Sequence, residues 1–99
     1  MIINRTQTNG KLVLGLEGRL DTTTAWRLEE VLIPAFDETK EIELDFKKLA
    51  YISSAGMRVL LMGQKEAASK GGSMTLRGVS NEIMDLLKMT GFTDVLSIA

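Results

Sequence analysis

The chain begins with the segments IINRTQT and KLVLGLEG, which are predicted as β-strands. The segments flank the dipeptide Asn9-Gly10, which favours the tight turn of a β-hairpin because both residues accept a positive φ. Every second residue at the start of the second segment is a leucine: Leu12, Leu14 and Leu16. The pattern predicts an N-terminal hairpin that packs on one side.

A helical spacing of apolar residues follows the hairpin. It is carried by Ala25, Leu28, Val31, Leu32 and Ala35. Asp21 or a threonine just after it is predicted as the N-cap, since short oxygen-bearing side chains accept the first free N–H groups. Pro34 disfavours helical geometry at the residue before it. We therefore expect this helix to end or kink near Pro34.

The segment 41–49, EIELDFKKL, predicts a third strand with one apolar and one polar face. Ile42, Leu44 and Phe46 are predicted to face the core, and Glu41, Glu43 and Asp45 to face water. The three carboxylates are interpreted as a solvated strand face, because a site for a hard cation needs converging oxygens from more than one loop.

The rest of the chain predicts a helix, a short strand and a second helix. The first of these helices ends at Gly71-Gly72 and carries on one face Met57, Leu60, Leu61 and Ala68. The strand points Met74 and Leu76 inward. The last helix is capped by Ser80, stops at Gly91 and buries Ile83, Leu86 and Leu87. An apolar tail follows. The order β-β-α-β-α-β-α predicts an α/β fold whose later strands run parallel, in a single domain over residues 1–99.

Composition removes several function classes. The 99 residues carry a net charge of −1 and contain no histidine and no cysteine, so a Ser-His-Asp triad and thiol chemistry are excluded. The sequence has no block of basic residues, so it does not predict nucleic-acid binding. No apolar run approaches the ~20 residues of a membrane span, and the N-terminus does not read as a targeting signal. We expect a cytoplasmic protein that has no cofactor and is not an enzyme. We also expect it to bind neither nucleic acid nor membrane.

The segment Leu49–Met62, LAYISSAGMRVLLM, places Ser53 and Ser54 between a strand and a helix. One interpretation is structural, because serine is a favoured N-cap. The other is functional, because a helix N-terminus offers free N–H groups and a positive dipole end that would hold a phosphate carried by serine. The two interpretations are compatible and both stay open at this point. Gly56 fits either, since it permits a tight turn or close packing.

Three blocks of the chain resemble, in order and spacing, those of the STAS domain family, and within it the bacterial anti-sigma factor antagonists. The blocks are GRLDTTTAWRLEEVL, ELDFKKLAYISSAGMRVLL and KGGSMTLRGVSNEIMDLLKMTGF. The resemblance covers residues 8–96 and implies a small mixed β-sheet with helices mainly on one face. In the family the junction usually reads Asp-Ser-Ser/Thr-Gly. Here Ser53 stands in place of the aspartate, and Ala55 in place of the second hydroxyl.

The resemblance implies a phosphorylation switch. In such a switch the unphosphorylated antagonist binds an anti-sigma factor and frees the sigma factor. The anti-sigma factor, itself a serine kinase, phosphorylates Ser54 and thereby ends the binding, and a phosphatase resets the serine. The residues implied to contact the partner are Asp21, Thr22, Ser53, Ser54, Ala55, Gly56 and Met57.

Several alternatives remain. The chain is alternatively a non-switching accessory subunit of a transport, lipid-trafficking or sensory complex, as other STAS domains are. Asp21 is either a helix cap or a partner-facing residue. Met57 is predicted as a soft contact surface beside the acceptor. Trp26 is either a partly buried aromatic residue or an interface anchor.

Overall fold

A computed structural model describes residues 1–99. The elements in chain order are β1 (Ile2–Thr8), β2 (Lys11–Leu20), α1 (Ala25–Ala35), β3 (Glu41–Ile52), α2 (Ser54–Ser69), β4 (Ser73–Arg77), α3 (Asn81–Met89), a 3₁₀ turn (Phe92–Asp94) and β5 (Ser97–Ile98). The predicted α/β order is confirmed. The predicted apolar tail contains one more strand, β5.

The five strands form one mixed sheet in the order β1-β2-β3-β4-β5. β1 and β2 are antiparallel, and every later neighbour is parallel, as predicted. The hairpin turn lies at Asn9 and Gly10, whose φ angles of 43° and 79° are both positive. Asparagine and glycine adopt this region more readily than other residues, so the turn sets the register of the first two strands.

The helices cover one face of the sheet, where the core lies. The sheet residues buried in this core are Leu12, Leu14, Leu16, Leu20, Ile42, Leu44, Phe46, Leu49, Ile52, Met74 and Leu76. The opposite face is polar. On it Glu43 accepts hydrogen bonds from Lys11 Nζ at 3.1 Å and Arg77 Nε at 2.7 Å. Burial raises the pKa of Glu43, but these two cations outweigh burial and leave the pKa below its ordinary value.

α2 packs closely on the core through Gly63. A Cβ atom on Gly63 would lie 2.6 Å from Leu32 Cδ2 and 2.8 Å from Met74 Sδ, so α2 approaches α1 and β4 through this glycine. The buried face therefore runs through Gly63 and Ala67. The prediction that Ala68 lies on this face is wrong, because Ala68 is exposed.

Helix ends agree with the sequence except at the N-terminus of α1. Ser80 Oγ accepts a hydrogen bond from the N–H of Ile83 at 3.2 Å, as expected of a cap. α1 ends at Ala35, one residue after Pro34. The prediction of a side-chain cap on α1 is wrong: Thr24 precedes the helix and makes no such hydrogen bond.

No helix of the protein combines the length and apolar character that a membrane crossing requires.

Candidate functional site

The candidate site lies where two parallel neighbours, β2 and β3, end side by side. Leu20 is paired with Ile52 at the end of the ladder, so the next residues, Asp21 and Ser53, begin two adjacent loops. The N–H of Ser53 donates to the carbonyl oxygen of Leu20 at 2.9 Å and joins the loops. The sheet register thus brings together two segments that lie 32 residues apart in the sequence.

Ser53 is the N-cap of α2. Its backbone is extended, its carbonyl oxygen accepts from the N–H of Met57 at 2.9 Å, and its Oγ accepts from the N–H of Gly56 at a long 3.5 Å. These contacts leave the N–H groups of Ser54 and Ala55 without an acceptor inside the helix. Ser54 is the first residue of α2 and is exposed, whereas Ser53 is partly buried. The two serines therefore have different surroundings.

Gly56 allows α2 to start this close to the sheet. A Cβ atom on Gly56 would lie 2.7 Å from Leu20 Cγ, 2.9 Å from the Leu20 carbonyl oxygen and 3.0 Å from Ile52 Cγ1. Real Cβ atoms essentially never come within 3.0 Å of another atom in this way, so any other residue would push the helix away. The glycine sets the distance between the N-terminus of α2 and the loop that carries Asp21.

Asp21 organises the loop between β2 and α1. Its Oδ1 accepts from the hydroxyl of Thr23 at 2.7 Å and from the N–H of Thr23 at 2.9 Å. These two bonds, and smaller contributions from Arg19 and Thr24, outweigh partial burial and lower the pKa of Asp21 from 3.8 to about 2. The carboxylate therefore stays ionised at neutral pH, in the loop that the Ser53–Leu20 hydrogen bond joins to the start of α2.

Arg19 and Tyr51 form a pair that the sequence analysis missed. They are partners in the β2–β3 ladder, and the guanidinium carbon lies 4.1 Å from the centroid of the Tyr51 ring. Arg19 Nε also contacts Asp21 Oδ2 at 3.4 Å. The sequence contains a signal for this pair. Arg19 lies two positions before Asp21 and Tyr51 lies two positions before Ser53, so a parallel register that aligns the two loops places Arg19 and Tyr51 side by side.

The structure brings most of the predicted partner-binding residues to one surface. Ser54 and Thr22 are exposed, and Asp21, Ser53 and Ala55 are partly exposed. These five residues are called the junction surface below. Gly56 and Met57 do not lie on it. Gly56 is buried under Leu20.

The prediction that Met57 is a contact surface does not fit its position. Its side chain is only 5% exposed, and its sulfur accepts from Thr90 Oγ1 at 3.7 Å. Helical spacing turns Met57 inward toward the end of α3, where it supports the first turn of α2 from below.

A family model described as "Mlab, STAS domain" matches residues 3–97. This chain belongs to the STAS domain family. Two curated relatives are named anti-sigma-B factor antagonist. The one from Bacillus subtilis (strain 168) is 26% identical and aligns over 94% of this STAS domain and 85% of its own length. The one from Staphylococcus aureus (strain NCTC 8325 / PS 47) is 30% identical and aligns over 82% of this STAS domain and 76% of its own length.

Solved structures show the same fold. The anti-sigma factor antagonist SpoIIAA in its unphosphorylated form superposes with a TM-score of 0.80 at 18% identity, covering 99% of this STAS domain and 87% of SpoIIAA. The phosphorylated form of the Bacillus protein superposes with a TM-score of 0.77 at 19% identity, over 99% and 91%. At this identity the likeness concerns the arrangement of strands and helices, which confirms the predicted STAS-type sheet.

Proposed function

We propose that this STAS domain is an anti-sigma factor antagonist, which binds its partner when Ser54 is unphosphorylated and releases it when Ser54 is phosphorylated. The observation that carries the proposal is the position of Ser54. It is an exposed hydroxyl on the first residue of α2, in the loop that β-sheet pairing places beside Asp21. The names of the curated relatives support the anti-sigma factor as partner.

The choice of Ser54 over Ser53 follows from their contacts. Ser53 Oγ accepts the N–H of Gly56 and is partly buried, so a kinase has less access to it. Ser54 is exposed and makes no side-chain hydrogen bond within the chain. Its Oγ would attack the γ-phosphorus of ATP, forming the Oγ–P bond as the bond to ADP breaks and passing the hydroxyl proton to a base of the kinase.

A phosphate on Ser54 is expected to change the surface without unfolding the domain. It adds about −1.5 to −2 charge at neutral pH, next to the free N–H groups of Ser54 and Ala55 and the positive end of α2. A partner docked on the junction surface would have to desolvate this charge and would meet it beside the ionised Asp21. A loss of ~3 kcal/mol weakens binding about a hundredfold, which is enough for a switch.

The protein acts, on this proposal, by binding rather than by catalysis. The kinase activity belongs to the anti-sigma factor, and a separate phosphatase hydrolyses the Oγ–P bond of Ser54 to reset the switch. The N-cap and the Leu20 contact hold the loop in place before the partner arrives, so binding has little ordering of backbone to offset.

The test is incubation with ATP and, one at a time, the anti-sigma factor kinases of the same organism, followed by intact mass measurement and peptide mapping. We expect one added phosphoryl group on Ser54. The Ser54→Ala variant should gain none, and Ser53→Ala should still gain one. Phosphate on Ser53 would contradict the assignment. Binding with phosphate on neither serine would favour the alternative, a non-switching accessory subunit of a transport, lipid-trafficking or sensory complex.

A further inference from the structure

The indole of Trp26 is exposed although it is the largest apolar side chain in the protein. It is the only tryptophan of the chain, and 57% of its surface is accessible. Its Nε1 donates to the carbonyl oxygen of Thr23 at 3.0 Å, so the ring has a preferred orientation. Tryptophan is enriched among the residues that dominate binding energies, because a rigid ring buries a large area at low entropic cost.

Trp26 forms one end of a shallow groove along the outer side of α1. The groove has a volume of about 390 Å³ and is lined by Trp26, Glu29, Glu30, Ile33 and Pro34. These five residues are called the α1 groove. Trp26, Ile33 and Pro34 supply its apolar lining. Its only charges are two carboxylates, neither of which forms an ion pair within the chain. A complementary segment would carry a cation beside an apolar side chain.

Hydrogen bonds of Thr23 connect the α1 groove to the junction surface. Thr23, whose carbonyl oxygen holds the indole, also donates its N–H and its hydroxyl to Asp21. Asp21 in turn follows Leu20, whose carbonyl oxygen accepts from the N–H of Ser53. A short path of direct contacts therefore links Trp26 to the acceptor loop, and one partner can cover both.

We propose that Trp26 anchors the anti-sigma factor, and that the α1 groove receives a segment of that factor in which a lysine or arginine neighbours an apolar side chain. The proposal rests on the proposed function, because it takes the same partner. It adds a second contact, outside the phosphorylation loop. The two glutamates steer the basic segment, and the indole becomes buried beneath it.

The experiment uses the single tryptophan as its own probe. Protein labelled with 5-fluorotryptophan gives one ¹⁹F signal, which is followed during titration with the unlabelled anti-sigma factor kinase that the protein binds. We expect this signal to shift on binding. Trp26→Ala should weaken binding at least about tenfold, the effect of losing an interface anchor, with an unchanged melting temperature. The matched control is Ile2→Ala, which removes an equally exposed apolar side chain (56%) from the edge strand β1.

A charge test separates the groove from the indole. Wild-type affinity should fall as salt is raised, and the double variant Glu29→Gln, Glu30→Gln should bind more weakly and with less salt dependence. If Trp26→Ala binds the anti-sigma factor as tightly as wild type does, while Ser54→Asp loses binding, this proposal is overturned and the switch stays intact. A ¹⁹F signal that moves with protein concentration alone would indicate self-association and also overturn it. If the unmodified protein binds no anti-sigma factor, the proposed function itself fails.

Discussion

The backbone of Gly56 rests directly on Leu20, so closely that a methyl group at Gly56 would lie 2.9 Å from the Leu20 carbonyl oxygen. The same carbonyl oxygen accepts the N–H of Ser53, and neither can move without disturbing the other. Gly56→Ala is therefore expected to lower the free energy of unfolding by about 1–3 kcal/mol, the usual cost of overpacking. Urea unfolding monitored by circular dichroism measures the change.

The control for this variant is Gly15→Ala in β2. A Cβ atom there would meet Asn4 Cβ at 3.8 Å and the Asn4 carbonyl oxygen at 3.9 Å, both of which are ordinary contact distances. Its free energy of unfolding should stay within about 0.5 kcal/mol of wild type. Equal stability of the two variants would show that α2 can shift away from Leu20 at no cost, against the close packing described above.

The role of Ser53 as a cap can be separated from any role as an acceptor. Ser53→Ala removes a long hydrogen bond of 3.5 Å to the N–H of Gly56. We expect a loss near the lower end of the range for N-caps, about 0.5 kcal/mol. Ser80→Ala removes the shorter 3.2 Å bond at α3 and should lose more. A larger loss for Ser53→Ala, by thermal unfolding of both variants, would mean that its side chain does more than cap.

The low pKa of Asp21 makes the stability of the folded protein depend on pH. Because the folded pKa of about 2 lies below the ordinary 3.8, the ionised carboxylate stabilises the folded protein above about pH 4. This contribution is lost as pH falls from there toward 2. The difference in melting temperature between wild type and Asp21→Asn should therefore shrink between pH 6 and pH 3.

The cause of that low pKa is tested at Thr23. Thr23→Ala removes the hydroxyl that donates to Asp21 Oδ1 at 2.7 Å, so the pKa of Asp21 should rise toward its ordinary value. Thr22→Ala is the matched control, since Thr22 makes no hydrogen bond to Asp21. Carboxylate chemical shifts followed through an NMR pH titration give the pKa directly. An unchanged pKa in Thr23→Ala would instead assign the effect to the donors that remain, which are the N–H of Thr23, Arg19 and Thr24.

The sequence predicted the elements that depend on local periodicity. The alternation around Ile42, Leu44 and Phe46 and the turn at Asn9-Gly10 are local properties, and they appear as expected. β5 was missed because two residues are too few to show a period. Ala68 was misplaced because the buried face of α2 is centred on Gly63, which has no hydrophobic side chain to mark it.

The candidate site was predictable only in part. Local sequence placed Ser53 and Ser54 at a helix start, but the cap expected at Asp21 did not form. Its carboxylate turns back onto Thr23, because the helix begins only at Ala25. The Arg19–Tyr51 pair depends on strand register, so it could be predicted only by aligning the ends of β2 and β3 with each other and not from either segment alone.

Charge at Ser54 should act on binding and leave the fold intact. Ser54→Asp places a carboxylate at the N-terminus of α2, where the helix dipole favours it by about 0.3–1 kcal/mol, so its melting temperature should equal or exceed that of Ser54→Ala. Its affinity for the anti-sigma factor, measured by calorimetry, should fall well below wild type. Ser54→Ala should bind and resist release by ATP.

The control places the same charge at the other end of the helix. Ser69→Asp adds a carboxylate to the last residue of α2, where the dipole is unfavourable, and removes the hydroxyl that donates to the Glu66 carbonyl oxygen at 3.1 Å. This variant should be less stable than wild type yet bind normally, because it lies at the far end of the helix from the junction surface. The opposite pattern, a destabilised Ser54→Asp that still binds tightly, would contradict the switch, because charge at this position would then disturb the fold rather than the contact.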